Sequence, residues 1–369
     1  MRGSVYMRWA KEHAAARYNL ANSGLLPCTL DELAPEGLEA LRLPLNGHNP
    51  DGHPPLLEAI AARYGVPPGQ VAVAQGASGA NFLAFAALVE PGDEVLVEQP
   101  TYEPLLAALT LLGARIRRFP RRFEDGYRPD LDTLRSELAQ GRPRLVVLTD
   151  PHNPSGVLLP PEDLQEAARL TAAAGAHLLI DEVYLDACGP EASLDSAASS
   201  DRAASRVHLG PHLLATNSLT KSYGLSGLRC GWVLCGTATL ATRLRHANDA
   251  MAAGGPLPTE ALAVHAFEVL PRLAERARTL IDPSLARVHA LLEEHADRLD
   301  CVVPPHSMTV FPRLRREPTS DGLHDRLRQL ETSIVPGRFF EDPRAFRLGF
   351  VRGPEEVAQG LENLVRCLR

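Results

Sequence analysis

The stretch LVVLTDPHNPSGVLLPPEDLQEAARLTAAAGAHLLIDEVY (residues 145–184) contains a strand, a helix and a second strand, in that order. The strand segments, 145–150 and 177–182, are nearly continuous apolar runs, which are typical of strands buried on both faces of a mostly parallel sheet. The helix between them, 161–175, begins with Pro-Glu-Asp and ends at a glycine, which are ordinary start and stop signals. The stretch therefore predicts an α/β fold.

The same alternation continues on both sides of this unit, over about residues 55–250. Further strand candidates lie at 71–76, 94–100 and 212–218, and helical segments at 81–89 and 103–113. Alternation of this length predicts a mostly parallel sheet flanked by helices. After about residue 255, long helical stretches and a few short strands predict a smaller α+β domain.

The length of the chain also predicts more than one domain. A single core rarely grows beyond about 250–300 residues, and this chain has 369. We predict an N-terminal arm with part of the small domain at 1–45, a large domain at 46–255, and the C-terminal small domain with its linking helix at 256–369.

Composition argues against several classes of protein. The formal net charge of -7 is unlike the basic surface of a nucleic-acid-binding protein. No apolar run approaches the ~20 residues that span a bilayer, and the first residues lack a signal-peptide pattern. The six cysteines show no paired metal-binding spacing, which is typical of a reducing compartment. We expect a cytoplasmic protein that binds no metal, nucleic acid or membrane.

Lysine is rare in this chain and arginine is common. Of the 38 lysine and arginine residues, only Lys11 and Lys221 are lysine. Arginine stays protonated and is a poor nucleophile, whereas lysine can lose its proton and form an imine. Lys221 is therefore a candidate nucleophile, although most lysines lie on a protein surface without such a role. Lys11, in a predicted polar N-terminal helix, is expected to have no such role.

Small or polar residues follow each predicted strand, and ligands of open α/β sheets bind outside the carboxyl ends of the strands. These residues are Gly76-Ala77-Ser78-Gly79, Pro100-Thr101-Tyr102, Asp150 to Gly156, Asp181 with Tyr184, and Ser218 to Lys221, followed by Arg229. The turn at 76–79 offers backbone N–H groups that suit a phosphate, and it is equally compatible with a simple strand-to-helix turn. Asp181 ends an apolar strand, where a carboxylate is costly unless paired; a helix cap or an ion pair would also explain it.

Three segments occur in a specific order: DPHNPSG (150–156), LLIDEVY (178–184) and SLTKSYGLSGLRCGW (218–232). A serine lies three residues before Lys221, an arginine eight after it, and an Asp-x-x-Tyr about forty before it. Over about residues 45–350 the sequence resembles the class I/II (fold type I) aminotransferase family. The resemblance implies an enzyme whose cofactor is pyridoxal 5′-phosphate (PLP).

The resemblance also implies a role for each matching residue. Lys221 would form the internal aldimine with PLP and then shuttle a proton on the substrate, for which burial must lower the pKa of its amine. Asp181 would pair with the pyridinium nitrogen and keep the ring electron-poor. Tyr184 and Asn153 would hydrogen-bond the 3′-oxygen, and Tyr102 would stack on the ring.

The phosphate and the substrate are assigned residues in the same way. The phosphate would be held by the N–H groups of Ala77 and Ser78, the hydroxyls of Ser78 and Ser218, and the guanidinium of Arg229, whose planar fork matches phosphate. The α-carboxylate of the substrate would meet Arg347, in the apolar strand FRLGF, and Asn153 would also bind the substrate. Gly24, in NLANSGLL, resembles the segment that closes over the substrate.

One position departs from the family pattern. Relatives often carry a tyrosine five residues before the glycine that matches Gly52, and it reaches the phosphate of the partner subunit. Here that position is Gly47, and His48 or Asn46 would have to substitute for the tyrosine. The segment ANSGLL (21–26) is also similar to that of enzymes such as capreomycidine synthase, which carry out other PLP chemistry on the same fold.

These observations leave more than one function open. The first hypothesis is an aminotransferase that moves an amino group between an L-amino acid and a 2-oxo acid by a ping-pong mechanism. The second is a PLP enzyme of another reaction type (elimination, cyclisation of the capreomycidine-synthase kind, or decarboxylation). A PLP-binding gene regulator is disfavoured, because the residues before the fold are few and not basic. The resemblance implies a homodimer with small-molecule amino acid and 2-oxo acid substrates.

Overall fold

The computed structural model describes residues 3–37, 41, 43–188 and 205–368. The helices in these ranges are α1 (Val5–Glu12), α2 (Leu30–Leu33), α3 (Pro54–Tyr64), α4 (Gly76–Leu88), α5 (Glu103–Leu111), α6 (Leu131–Gln140), α7 (Pro161–Ala173), α8 (Ala238–Asp249), α9 (Leu257–Glu268), α10 (Leu270–Glu294), α11 (Asp321–Arg328) and α12 (Pro354–Cys367). The strands are β1 (Tyr18–Asn19), β2 (Val71–Gln75), β3 (Glu94–Gln99), β4 (Arg115–Pro120), β5 (Leu145–Thr149), β6 (His177–Asp181), β7 (Leu213–Ser218), β8 (Cys230–Cys235), β9 (Leu299–Asp300), β10 (Thr309–Val310), β11 (Arg313–Leu314), β12 (Thr332–Ser333), β13 (Val335–Pro336) and β14 (Phe346–Gly349).

Seven strands form one large sheet in the order β2-β8-β7-β6-β5-β3-β4. The pairs from β7 through β4 are parallel, whereas β8 runs antiparallel to both of its neighbours, β2 and β7. The predicted mostly parallel sheet is therefore confirmed, with one reversed strand inside it.

The central strands are buried on both faces, as their continuous apolar sequences predict. Side chains alternate between the faces, so Val95 and Val147 pack with α4 and α5, whereas Leu96 and Val146 pack with α6 and α7. Each fully buried side chain of this size contributes about 1.5–3 kcal/mol. The helices on both faces are thus held by the strand residues that the sequence singled out.

Two strands of the large sheet and the start of one of its helices were not predicted. The edge strand β4 has the sequence RIRRFP, whose arginines hide the apolar pattern. The strand β8 overlaps the end of the Lys221 motif, which was interpreted as a site loop and not as a strand. Helix α4 begins at Gly76, five residues before the predicted helical segment, so the Gly-Ala-Ser-Gly turn belongs to its first turn.

Short strands and long helices form a smaller α+β part after the large sheet, as expected. β10, β14 and β13 make a three-stranded antiparallel sheet, and β9 pairs with β11. Leu20 and Leu25 from the N-terminal segment join the hydrophobic cluster of α10, α11 and α12, and β1 pairs with β12. No helix within the described ranges is long and apolar enough to cross a membrane.

The topology brings several chain segments to one edge of the large sheet. The parallel strands β3, β5, β6 and β7 all end at this edge. β2 ends there too, and β8 begins there, because Gln75 pairs with Cys230 in antiparallel register. Residues that follow β2, β3, β5, β6 and β7, or precede β8, therefore meet at one place.

Candidate active site

A cavity lies at this edge of the sheet. Of the eleven residues predicted for the site, seven line the cavity: Ala77, Ser78, Tyr102, Asn153, Asp181, Tyr184 and Lys221. They come from the ends of five different strands, which explains why residues so distant in sequence meet. The remaining four, Gly24, Ser218, Arg229 and Arg347, lie around it, as described below.

Asp181 is the last residue of β6 and is only 5% exposed. Its Oδ2 accepts a hydrogen bond from Asn81 Nδ2 at 2.7 Å, and its Oδ1 accepts one from the Val183 N–H at 3.0 Å. Burial raises the pKa of this carboxyl to about 6, against the opposing effects of the two hydrogen bonds and of Lys221. A cationic ring nitrogen would supply the charge partner that a buried carboxylate needs.

Asn81 is a site residue that the sequence analysis missed. Thr216 Oγ1 donates to Asn81 Oδ1 at 2.7 Å, which turns the amide so that its NH₂ group faces Asp181. The signal that would have indicated it is a single amide within the apolar helix segment NFLAFAALV.

Lys221 lies in the loop between β7 and β8, with its side chain directed into the cavity. Its Nζ donates a hydrogen bond to Ser23 Oγ at 3.2 Å. Burial lowers the pKa of the amine to about 8; the nearby Arg347 and Arg229 also lower it, whereas Tyr6 and Asp181 raise it. A substantial fraction of the amine is therefore neutral near physiological pH, as a nucleophile or base requires.

Tyr184 and Gly24 flank this amine. Tyr184 Oη also donates to Ser23 Oγ, at 2.7 Å, and burial raises the pKa of the phenol. A Cβ atom on Gly24 would lie 3.5 Å from Lys221 Cδ and 3.8 Å from Nζ, so the backbone of Gly24 packs directly against the lysine side chain. Ser23, which both Lys221 and Tyr184 contact, was not predicted.

The other end of the cavity has the chemistry of an anion site. Ala77 and Ser78 lie in the first turn of α4, whose leading N–H groups lack partners within the helix. Arg229 lies beside this turn, where its Nη2 donates to Gln75 O at 3.1 Å. Ser218 ends β7 next to the start of β8. A helix N-terminus, two hydroxyls and a guanidinium together suit a phosphate.

Arg347 lies on β14 and is buried. It donates to Asn153 Oδ1 at 3.0 Å, to Tyr6 Oη at 2.7 Å and to Ala21 O at 3.2 Å. All three acceptors are uncharged, and no ion pair of Arg347 is found in the part of the chain that the structure describes. A buried cation without an anionic partner is suited to a carboxylate ligand.

Asn153 and Tyr102 complete the walls. The Asn153 N–H donates to Thr149 Oγ1 at 2.9 Å, which fixes the loop after β5. Tyr102 packs edge-on against Tyr6 of α1, with ring centroids 5.7 Å apart.

Gly47, by contrast, lies beside α9, where a Cβ atom would come within 2.9 Å of Leu257. Tyr6 was also missed, because nothing in the sequence of α1 ties it to the motifs.

The residues present fit PLP. A buried carboxyl with a raised pKa matches a ring nitrogen, the start of α4 with Arg229 matches a phosphate, and a lysine amine with a lowered pKa lines the same pocket as the carboxyl. Comparison with known proteins agrees with this chemistry, since the sequence model of the family described as aminotransferase class I and II matches residues 22–364. The chain belongs to the class I and II aminotransferase family.

Members of this family are PLP-dependent, and the relatives of this chain catalyse different reactions. The chain is 34% identical over 370 residues to capreomycidine synthase of Streptomyces vinaceus, covering 96% of this chain and 90% of that one. It is 29% identical to the arginine–pyruvate transaminase AruH of Pseudomonas aeruginosa, covering 81% and 74%. A PLP-dependent aminotransferase from Streptococcus suis superimposes with a TM-score of 0.86 at 27% identity, covering 100% and 98%. The relatives of this chain therefore include both transaminases and a synthase.

Proposed function

We propose that the protein is a PLP-dependent aminotransferase that moves an amino group between an L-amino acid and a 2-oxo acid. The observation that carries this proposal is the meeting of three groups in one site: the Lys221 amine, the Asp181 carboxyl and the Arg347 guanidinium. They supply a base, a partner for an electron-withdrawing ring, and a cation for an α-carboxylate.

The cofactor would be held by residues of the large sheet. Asp181 would contact the ring nitrogen, Tyr102 the ring face, and Tyr184 with Asn153 the 3′-oxygen; Ala77, Ser78, Ser218 and Arg229 would hold the phosphate. When bound, PLP withdraws electrons from the substrate and makes the Cα proton acidic. The remaining chemistry falls to the protein.

Lys221 and Arg347 would perform the steps on the substrate side. Lys221 would hold the cofactor covalently, and its amine, once released and neutral, would move a proton between Cα of the substrate and C4′ of the cofactor. Arg347 would orient the substrate through its α-carboxylate. Because the amino donor and the oxo-acid acceptor both carry that carboxylate, one arginine would serve both halves of a ping-pong reaction.

A second candidate is a PLP reaction of another type, such as a cyclisation. The observation that favours it is the 34% identity with capreomycidine synthase over nearly the whole chain. Lys221 and Asp181 would serve such a reaction equally well, because any loss of the Cα proton needs the same base and the same ring partner. The two candidates differ in the fate of the amino nitrogen.

Nitrogen tracing tests the proposal. The protein, loaded with PLP, is incubated with a panel of α-¹⁵N amino acids and a panel of 2-oxo acids, and products are identified by mass spectrometry. Aminotransfer predicts ¹⁵N in the amino acid formed from the acceptor, and the donor's own 2-oxo acid as co-product. A product that keeps its ¹⁵N, with loss of water or carbon dioxide and no acceptor needed, would replace the proposal with the second candidate. Lys221→Ala serves as the inactive control.

A further inference from the structure

Ser23 lies between two residues to which the proposed function assigns chemistry. It is 3% exposed, and its Oγ accepts hydrogen bonds from Lys221 Nζ at 3.2 Å and from Tyr184 Oη at 2.7 Å. A serine hydroxyl has two lone pairs and one proton. These two donors use both lone pairs, so Ser23 Oγ is committed to the lysine and the tyrosine together.

The backbone around Ser23 holds it in place. The Leu25 N–H donates to the carbonyl oxygen of Lys221 itself, at 2.9 Å. On the other side, the Gly349 N–H donates to Leu20 O at 2.7 Å, and a Cβ atom on Gly349 would lie 1.9 Å from Asn22 O. Only a glycine allows this approach, so the segment of Ser23 is fixed to the lysine loop and to β14.

The ionisable groups that face the amine do not by themselves fix its position. Arg347 from β14 and Arg229 before β8 disfavour its protonated form, whereas Asp181 from β6 and Tyr6 from α1 favour it. These influences come from several directions. The Ser23 hydroxyl supplies a directed hydrogen bond, and an acceptor favours the charged form of the amine that donates to it.

We propose that Ser23 is a positioning residue for Lys221: its hydroxyl holds the amine beside Tyr184 whenever the amine is not covalently engaged, and favours the protonated amine. This inference deepens the proposed function and rests on it. A proton taken up by Nζ is stabilised there by Ser23 until it is returned. Removal of the hydroxyl leaves Lys221 present but less basic and less well placed.

The lysine content of the chain allows a direct test. Competitive acetylation of the full-length, cofactor-free protein with acetic anhydride, read by mass spectrometry from pH 6 to 11, gives the titration midpoint of each lysine. Only Lys221 and the exposed Lys11 contribute lysine amines, so Lys11 is an internal reference. Ser23→Ala should lower the Lys221 midpoint by about one pH unit, since the hydrogen bond to the charged amine is lost. The Lys11 midpoint should not change.

Two further variants test the same prediction if Ser23→Ala folds poorly. Ser23→Thr retains the hydroxyl and should keep the Lys221 midpoint near that of the wild type. Tyr184→Phe removes the competing donor, which strengthens the bond from the amine to Ser23, so the midpoint should rise. Equal Lys221 midpoints in wild type, Ser23→Ala and Tyr184→Phe would overturn the proposal.

The same labelling separates this inference from the proposed function. Saturation with PLP should protect Lys221, but not Lys11, from acetylation. Absence of protection would remove the proposed function on which the inference rests, whatever the Ser23→Ala midpoint. Protection together with an unshifted Ser23→Ala midpoint would leave the proposed function standing and overturn the role of Ser23.

Discussion

Lys221 and Asp181 are ionisable groups whose pKa values move toward each other inside the site. Burial raises the pKa of Asp181 from 3.8 to about 6 and lowers that of Lys221 from 10.5 to about 8. Both changes have one cause, because a buried environment disfavours charge of either sign. The lysine is thereby prepared as a nucleophile, and the carboxyl is left in need of a cationic partner.

The lowered pKa of Lys221 gives a prediction for cofactor uptake. Covalent capture of PLP requires the neutral amine, so its rate in cofactor-free protein should rise with pH, reach half of its maximum near pH 8 and level off about one unit higher. The measurement follows the absorbance of protein-bound PLP over time, at a series of pH values from 6 to 10. A rate that is still rising steeply at the upper end of this range would contradict it. Lys221→Ala should release PLP on gel filtration and lose about 10³-fold or more in turnover.

Asp181→Asn should separate stability from function. The folded-state pKa of Asp181 is raised, so the cost of its ionisation appears as pH rises from 3.8 through about 6 and is fully present at pH 8. The cofactor-free variant should therefore be more stable than the wild type at pH 8, with a free energy of unfolding that is higher by about 1 kcal/mol. Thermal unfolding with and without PLP checks this.

The same variant should lose activity, since the amide cannot stabilise a cationic ring nitrogen. We expect turnover to fall about 10²-fold or more and PLP to stabilise the variant less than it stabilises the wild type. Wild-type turnover in Asp181→Asn would show that Asp181 is not the ring partner.

Among individual residues, proximity along the chain decides what sequence can predict. Asp181 with Tyr184, and Ser218 with Lys221 and Arg229, form compact motifs, and the structure brings them together. Ser23, Asn81 and Tyr6 reach the same site from segments that carry no motif, through contacts such as Lys221 to Ser23 and Arg347 to Tyr6. Such long-range contacts depend on the packing of whole elements, so a single sequence does not reveal them.

The turn from β2 into α4 depends on one glycine. Gly76 has φ +70°, and a Cβ atom there would lie 2.4 Å from Arg229 Nη2. The strain of a left-handed conformation and the displacement of the Arg229 guanidinium would both follow from a side chain. The geometry of this turn thus decides where the guanidinium lies.

Gly76→Ala should therefore weaken PLP binding by about tenfold or more, as expected for the loss of a charge-assisted phosphate contact. The matched control is Gly79→Ala in the same helix, where the added Cβ would make an ordinary 3.4 Å contact with Gln75. Fluorescence titration of cofactor-free protein with PLP measures both. Equal dissociation constants for the two variants would show that Arg229 does not hold the phosphate.

Elements were predictable where their pattern was strong. The apolar runs of β5 and β6 and the bounded helix α7 match the sequence reading closely. The edge strand β4 was not predicted because three arginines interrupt its apolar pattern, and the start of α4 was not predicted because glycines are poor helix formers. The reversed strand β8 follows from pairing across the sheet, which local sequence does not encode.

For the molecule as a whole, we propose the division expected from the sequence: 1–45 with the small domain, 46–255 as the large domain and 256–369 as the C-terminal part. Separate hydrophobic clusters support it, one around α10, α11 and α12 and others on the two faces of the large sheet. Residues of the N-terminal segment, such as Leu20 and Leu25, belong to the first cluster.

We also propose that the protein is a homodimer, and the surface near the phosphate end supports it. Leu45 is 87% exposed and Met251 49% exposed, and their segments are joined by the hydrogen bond from Asn49 Nδ2 to Gly255 O at 3.0 Å. Arg229 lines a second pocket, which Asp51 and Gly255 also line. Exposed apolar side chains grouped beside a site are typical of a surface that a second copy covers.

Leu45→Asp should accordingly weaken the dimer by at least about tenfold, since a charge would enter the buried interface. Light scattering should give twice 39.9 kDa for the wild type and a concentration-dependent mass for the variant. Leu111→Asp, at a leucine that is 52% exposed on α5 toward the opposite edge of the sheet, is the control. A wild-type mass of 39.9 kDa at all concentrations would refute the proposal.

The contact of Gly349 with the backbone of Asn22 has a mechanical consequence. It joins β14, which carries Arg347, to the segment of Ser23 so closely that the two cannot slide past each other. Any displacement of β14 would therefore move the side chains of Arg347 and Ser23 together. The positions of the cation proposed to bind a substrate carboxylate and of the hydroxyl that holds the lysine are therefore mechanically coupled.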